Sequence, residues 1–125
     1  MDPFRVLIVD DEDDFRNTLV KRLETRQVPV LAVADGQAAS NLVQEQDFDI
    51  VILDVKMPGK DGIQTLQEIK KLKPGIEVIL LTGHASVESG IQGMRLGAFD
   101  YLIKPTPLDD LLDKMQQALA KTRKR

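Results

Sequence analysis

Four polar positions in this chain each stand at the downstream end of a short hydrophobic run. Val6-Leu7-Ile8-Val9 leads into Asp10-Asp11, and Ile50-Val51-Ile52-Leu53 leads into Asp54. Val78-Ile79-Leu80-Leu81 leads into Thr82, and Tyr101-Leu102-Ile103 leads into Lys104-Pro105. Carboxylates together with a hydroxyl and an amine suit phosphate and divalent-metal chemistry. Magnesium is a hard ion that takes oxygen ligands and completes its shell with water and phosphate. A lysine ammonium is a compact point charge for phosphate oxygens. An aspartate can also attack phosphorus directly and carry an aspartyl phosphate.

Asp54 is the leading candidate for that nucleophile. A single aspartate after an apolar run reads, in isolation, as a helix cap or a loop-fixing residue. Its company changes the reading, because Asp10 and Asp11 end another run of the same kind and grouped carboxylates need a cation. Asp10 to Asp14 are five consecutive acids. Glu12, Asp13 and Asp14 fall where a first helical turn begins, and acids there are favoured by the helix dipole alone. Asp10 and Asp11 precede that turn, so ligation explains them better. Lys104 sits between an apolar run and a proline, where its ammonium could meet a transferred phosphoryl group. Thr82 is a weaker signal, since threonine is also a good strand residue. His84 is the only histidine, and no serine or cysteine stands at a spacing that would make it a catalytic base. Tyr101 is a lone tyrosine that packing alone would explain. Lys56-Met57-Pro58-Gly59 looks like a tight turn beside Asp54. Neither glycine-rich nucleotide fingerprint is present.

The elements that must position these residues follow from periodicity. Short continuous apolar runs read as buried parallel strands, and in an open parallel sheet the carboxyl ends of the strands border one crevice. Between the runs lie amphipathic stretches: Phe15, Leu19 and Leu23 within about 12–26, and Ala38, Ala39, Leu42 and Val43 after Asp35-Gly36. Ile63, Leu66 and Ile69 follow an Asp61 cap with Gln64 three residues on, ending at Lys73-Pro74-Gly75. Val28 to Val33 reads as the second strand, 49–54 as the third and Phe99 to Lys104 as the fifth. The fourth helix is expected over Ser86 to Leu96 with Val87, Ile91 and Met94 inward. Gly90, Gly93 and Gly97 weaken it by about 1 kcal/mol per internal glycine. Thr106 is the expected cap of the last helix, with Pro107 at its first position and Leu108, Leu111, Leu112, Met115 and Leu119 on its apolar face. Five strands alternating with five helices give an α/β fold, a single (βα)5 doubly wound domain with a parallel sheet.

Composition agrees. The chain has 125 residues, enough for one domain with one core, and is 42% hydrophobic and 30% charged. It lacks cysteine, which removes disulfides and thiolate chemistry. Its formal net charge of −3 gives no electrostatic case for direct nucleic-acid binding. No apolar stretch is long enough to span a bilayer and the start lacks the features of a signal peptide, so a cytoplasmic setting is expected. The folded domain is placed at residues 1–120. Residues 121–125, with Lys121, Arg123, Lys124 and Arg125, form a basic tail that suits a helix end or the start of a linker to a downstream effector domain.

Asp10-Asp11, Asp54 with Met57-Pro58-Gly59-Lys60-Asp61-Gly62, Thr82, and Tyr101-Leu102-Ile103-Lys104-Pro105 together resemble the receiver domain of bacterial two-component response regulators, over essentially the whole chain. The resemblance implies a CheY-like, flavodoxin-like sheet of order 2-1-3-4-5, which makes strands 1, 3, 4 and 5 neighbours. It implies a signalling domain rather than an enzyme acting on a separate substrate. Asp54 would accept a phosphoryl group from a sensor histidine kinase. Mg2+ would be held by Asp11, Asp54 and the backbone carbonyl of Lys56, with Asp10 helping through water. Thr82 and Lys104 would bind phosphoryl oxygens, the Lys104–Pro105 peptide would be cis, and Thr82 and Tyr101 would move as switch residues. The surface of helix 4, strand 5 and helix 5 would then engage an effector domain, an output protein or a second copy in a phosphorylation-dependent homodimer, with transcription regulation as the output. Two rival readings are weaker. A haloacid-dehalogenase-type phosphatase would have a second aspartate where Lys56 stands, and a phosphorylation-free scaffold would not need the full acidic and lysine set.

Overall fold

The computed structural model describes residues 4–56, 61–83 and 87–123. The elements alternate along the chain as β1 (Val6–Val9), α1 (Asp13–Thr25), β2 (Val30–Val33), α2 (Gly36–Glu45) and β3 (Ile50–Asp54). They continue as α3 (Gly62–Leu72), β4 (Glu77–Thr82), α4 (Val87–Arg95), β5 (Asp100–Ile103) and α5 (Leu108–Arg123). All pairings are parallel, in the order β2-β1-β3-β4-β5. This is the expected (βα)5 doubly wound sheet.

Alternation along the central strands divides the core in two. Leu7, Val9, Val51, Leu53, Val78 and Leu80 point to the face covered by α2 and α3. Val6, Ile8, Ile50, Ile52, Ile79 and Leu81 point to the face covered by α1 and α5. Because both faces are covered, these strands need apolar residues at every position, which is why they read as unbroken runs. Ala118 of α5 joins the core beside Leu111, Met115 and Leu119.

Several boundaries differ from the sequence expectation. Strand β2 starts at Val30 because Val28 is used to close α1. Its N–H donates to the Leu23 carbonyl, and Gln27 before it turns at φ 62°. Strand β4 starts one residue earlier than its apolar run, at Glu77. That carboxylate is buried, with Lys70 Nζ at 3.8 Å and Lys121 Nζ at 3.3 Å. The last helix begins at Leu108, so Pro107 precedes it, and the Thr106 hydroxyl donates to the Ile103 carbonyl at 2.8 Å. It runs through Arg123, so the basic end at Lys121 still belongs to α5.

Helix α4 is the main correction. Ile91 and Met94 point outward, 44% and 41% exposed, while Gly90 and Gly93 are the buried positions. A Cβ at Gly93 would lie 2.2 Å from Leu80 Cδ1, and one at Gly90 would lie 2.9 Å from the Tyr101 ring. The glycines therefore permit close approach of the helix to the sheet and are more than weak points in it.

Candidate functional site

The carboxyl ends of β1, β3, β4 and β5 are adjacent because these strands pair consecutively. Register brings Val9 opposite Leu53, Asp54 opposite Leu81 and Thr82 opposite Ile103. Residues immediately beyond these pairs therefore meet at one edge.

Asp54 closes β3 and is 6% exposed. The next residue remains tied to the sheet, since Val55 N–H donates to the Leu81 carbonyl at 3.0 Å. Lys56 N–H donates to Asp54 Oδ1 at 3.3 Å. Gly62 then packs against the same peptide, where an added Cβ would sit 2.4 Å from the Asp54 carbonyl oxygen. Asp61 caps α3 by accepting from Gln64 N–H at 2.8 Å. The start of α3 thus holds the end of β3 from behind.

Asp10 is 1% exposed. Its Oδ1 accepts from Glu12 N–H at 2.8 Å, and its Oδ2 accepts from Lys104 Nζ at 2.9 Å. Its carbonyl accepts from the Arg16 guanidinium at 2.8 Å, fixing the turn into α1. Lys104 is brought in from β5, where its N–H donates to the Thr82 carbonyl at 2.6 Å. Its ammonium lies 3.4 Å from Glu12 Oε1, 3.7 Å from Asp54 Oδ2 and 4.3 Å from the centre of the Phe15 ring. The Lys104–Pro105 peptide is cis.

These neighbours oppose one another electrostatically. Burial, followed by the Asp10 charge, pushes the Asp54 carboxyl up to about 6, against the lowering effect of Lys104 and the Lys56 N–H. Burial works to lower the Lys104 pKa, but the Asp10 hydrogen bond and the charges of Asp54, Asp10 and Glu12 outweigh it and raise it. Among the described residues, the site is thus an acidic nest with the Lys104 ammonium inside it.

Asp10, Glu12 and Asp54 each offer a carboxylate oxygen, and these atoms lie within 4.8 Å of one another. An all-oxygen set of this charge fits a hard divalent cation such as magnesium. Glu12, which the sequence assigns to the helix dipole alone, reaches back to the site with its side chain. Asp11 is exposed and lies outside this three-residue group. The Lys56 side chain is exposed.

Thr82 is fully buried, and its hydroxyl has no hydrogen-bond partner among the described residues. A buried hydroxyl without a partner costs stability, and a ligand oxygen arriving beside it would supply the missing hydrogen bond. Tyr101 is half-buried on β5 opposite Leu80. His84 and the Met57-Pro58-Gly59-Lys60 turn lie outside the described residues, as do Lys124 and Arg125.

With this geometry in place, the sequence matches the response regulator receiver domain family over residues 6–116. The chain belongs to that family. The receiver domain is 40% identical over 121 residues to the transcriptional regulatory protein ZraR of Escherichia coli, covering 97% of this chain and 27% of that protein. It is 39% identical over 115 residues to the regulatory protein AtoC of Escherichia coli, covering 92% of this chain and 25% of that one. It thus spans about a quarter of the length of these relatives. Among solved structures, a response regulator receiver domain protein from Clostridium thermocellum superposes with a TM-score of 0.92 at 34% identity, over 96% of this chain and 97% of that one. NtrX from Brucella abortus superposes with a TM-score of 0.91 at 29% identity, over 98% of this receiver domain and 28% of that chain. Among the described residues, no helix is long and apolar enough to cross a membrane.

Proposed function

We propose that this receiver domain is a phosphorylation-driven switch in which Asp54 is the acceptor. The observation that carries the reading is the enclosed set of Asp54, Asp10 and Lys104, beside a Thr82 hydroxyl without a described partner. A carboxylate oxygen of Asp54 would attack the phosphorus of a phosphohistidine on a sensor kinase. The new P–O bond forms as the P–N bond breaks, and the electron pair stays on the imidazole nitrogen, which is protonated from solvent. An acidic nest would repel an anionic donor unless a cation offset it. When bound, magnesium would neutralise carboxylate charge and polarise a phosphoryl oxygen.

Asp10 and Asp54 would hold that ion, with Glu12 supported as a third ligand by proximity and Asp11 and the Lys56 carbonyl by family resemblance. Lys104 would leave its present carboxylate partners to bond a phosphoryl oxygen, and the Thr82 hydroxyl would donate to another. Tyr101 would follow Thr82, altering the surface of α4, β5 and α5. The same surface would engage an output module, an output protein or a second copy of the chain in the modified state. Because the transcriptional regulatory protein ZraR is about four times this length, transcription control through an effector domain joined after α5 is the favoured output. That effector, and not this domain, would touch DNA, and the pathway would operate in the cytoplasm.

Incubation with a small acyl-phosphate donor and magnesium, followed by intact-mass measurement, tests the acceptor. A single phosphoryl adduct is expected, dependent on magnesium and absent in Asp54→Asn. An adduct that persists in Asp54→Asn would assign the acceptor elsewhere, and none in the wild type with donor or competent kinase would leave a scaffold.

A further inference from the structure

Helix α4 meets the sheet through two glycines one turn apart, each facing one member of a cross-strand pair. Gly93 faces Leu80 on β4 and Gly90 faces Tyr101 on β5, and Leu80 and Tyr101 are direct neighbours in the β4–β5 register. At Gly90 an added Cβ would lie 2.9 Å from both Cγ and Cδ2 of Tyr101, and 3.3 Å from its Cβ. Those atoms are at the root of the side chain, so a rotation of the phenol end would not relieve the overlap. Either the whole ring or the helix would have to move. Two residues along the same strands, Thr82 pairs with Ile103, and the Thr82 carbonyl accepts from Lys104 N–H. The Tyr101–Gly90 contact is therefore one short step along the backbone from the phosphoryl-binding groups.

We propose that Gly90 is the positioning residue for Tyr101. Its missing side chain lets the ring lie directly on α4, so that ring and helix change place together and not independently. This deepens the switch reading above and rests on it. A side chain at Gly90 would displace the ring in the resting domain and blunt the step from Asp54 modification to the α4 surface, while leaving the modification itself intact. The overlap at the ring also predicts a less stable domain, whereas helix propensity alone predicts a more stable one, because alanine favours a helix over glycine. The two effects can therefore be separated.

The chain has one tyrosine and no tryptophan, so tyrosine emission reports on Tyr101 alone. Acrylamide quenching of that emission would be measured in wild type, Gly90→Ala and Gly75→Ala. Gly75 is the matched control, because an added Cβ there has nothing within 4 Å. Each protein is read before and after magnesium and beryllofluoride. The expected result is a shift of about twofold in quenching for resting Gly90→Ala, and loss of the beryllofluoride response seen in wild type. Gly75→Ala should match wild type. Phosphoryl incorporation at Asp54 from the acyl-phosphate donor should stay within about twofold in all three. Wild-type quenching and response in Gly90→Ala overturn the proposal, and so does a wild type that takes the adduct without any change at the ring. Absence of the adduct in wild type fails the acceptor reading instead, and the resting comparison then still tests the Tyr101–Gly90 contact.

Thermal melts of Gly90→Ala alone and with Tyr101→Ala supply the second measurement. Gly90→Ala should lower the melting temperature when the tyrosine is present and raise it when the ring is gone. If Gly90→Ala alone does not fold, recovery of folding in the double variant supports the proposal and failure to recover overturns it. The same effect in both backgrounds also overturns it.

Discussion

At Asp54, burial and charge act on one carboxyl, and the sign of the consequence can be worked out. Its pKa is pushed from the ordinary carboxylate range up to about 6 in the folded domain. A group with a raised folded pKa binds more protons when native, so without metal its contribution to stability falls as pH rises from about 4 through 6. Asp54→Asn removes that penalty. In chelator, this variant is expected to be more stable than wild type above pH 7 by on the order of 2 kcal/mol, with the difference vanishing below about pH 4. Chemical denaturation across pH checks it, and an equal difference at all pH values would refute the electrostatic account. The same scale separates Asp11 from Glu12. Titration calorimetry with magnesium on Asp11→Asn and Glu12→Gln is expected to show weakened binding in Glu12→Gln by about tenfold, as for loss of one ligand or its close support. Undiminished affinity in Glu12→Gln with a large loss in Asp11→Asn would return the role to Asp11. Asp10, Asp54, Thr82 and Lys104 were legible in the sequence because each ends an apolar run, and a parallel sheet collects such ends. Glu12 was not, because it looks like any acid in a first helical turn until the turn's path carries its side chain back toward Lys104.

Elements were legible in proportion to how completely they are buried. The central strands needed apolar residues on both faces and announced themselves. Strand β2, at the sheet edge and half-buried, begins two residues later than its apolar run. Helix α4 presents the face opposite to the one its hydropathy pattern suggests, since Ile91 and Met94, the apolar stripe by periodicity, point outward. The close approach to Leu80 and Tyr101 excludes side chains, and a hydropathy pattern cannot distinguish a glycine that packs from one that merely weakens a helix. Gly93→Ala tests this directly. Its Cβ would fall 2.2 Å from Leu80 Cδ1, so destabilisation of about 1–3 kcal/mol is expected despite the gain in helix propensity. Urea unfolding measures it. A stabilised variant would mean that α4 sits farther from the sheet than described.

Across the molecule, the two ends of the sheet carry different charge chemistry. Asp10, Asp54 and Lys104 gather at the carboxyl end, while Glu77 at the start of β4 is met by Lys70 from α3 and Lys121 from α5. Lys114 also pairs with Asp100 at 2.7 Å, so α5 is tied to the sheet at two heights. A charged residue opening a strand gave no sign of this in the sequence, because its partners are distant along the chain. Lys121→Met is expected to cost about 1 kcal/mol, kept small by the exposure of the lysine and by Lys70 remaining. It should speed amide hydrogen exchange in the last turn of α5 without changing phosphoryl uptake at Asp54. Exchange unchanged in that turn would deny Lys121 its anchoring role. Helix α5 starts four residues after Lys104 and extends 16 residues, about 24 Å, down to the pole where Glu77 lies. Under the proposed switch, a module attached beyond Arg123 would depart from the pole opposite the acidic nest, so its point of attachment would register the altered outline of the domain and not Asp54 itself.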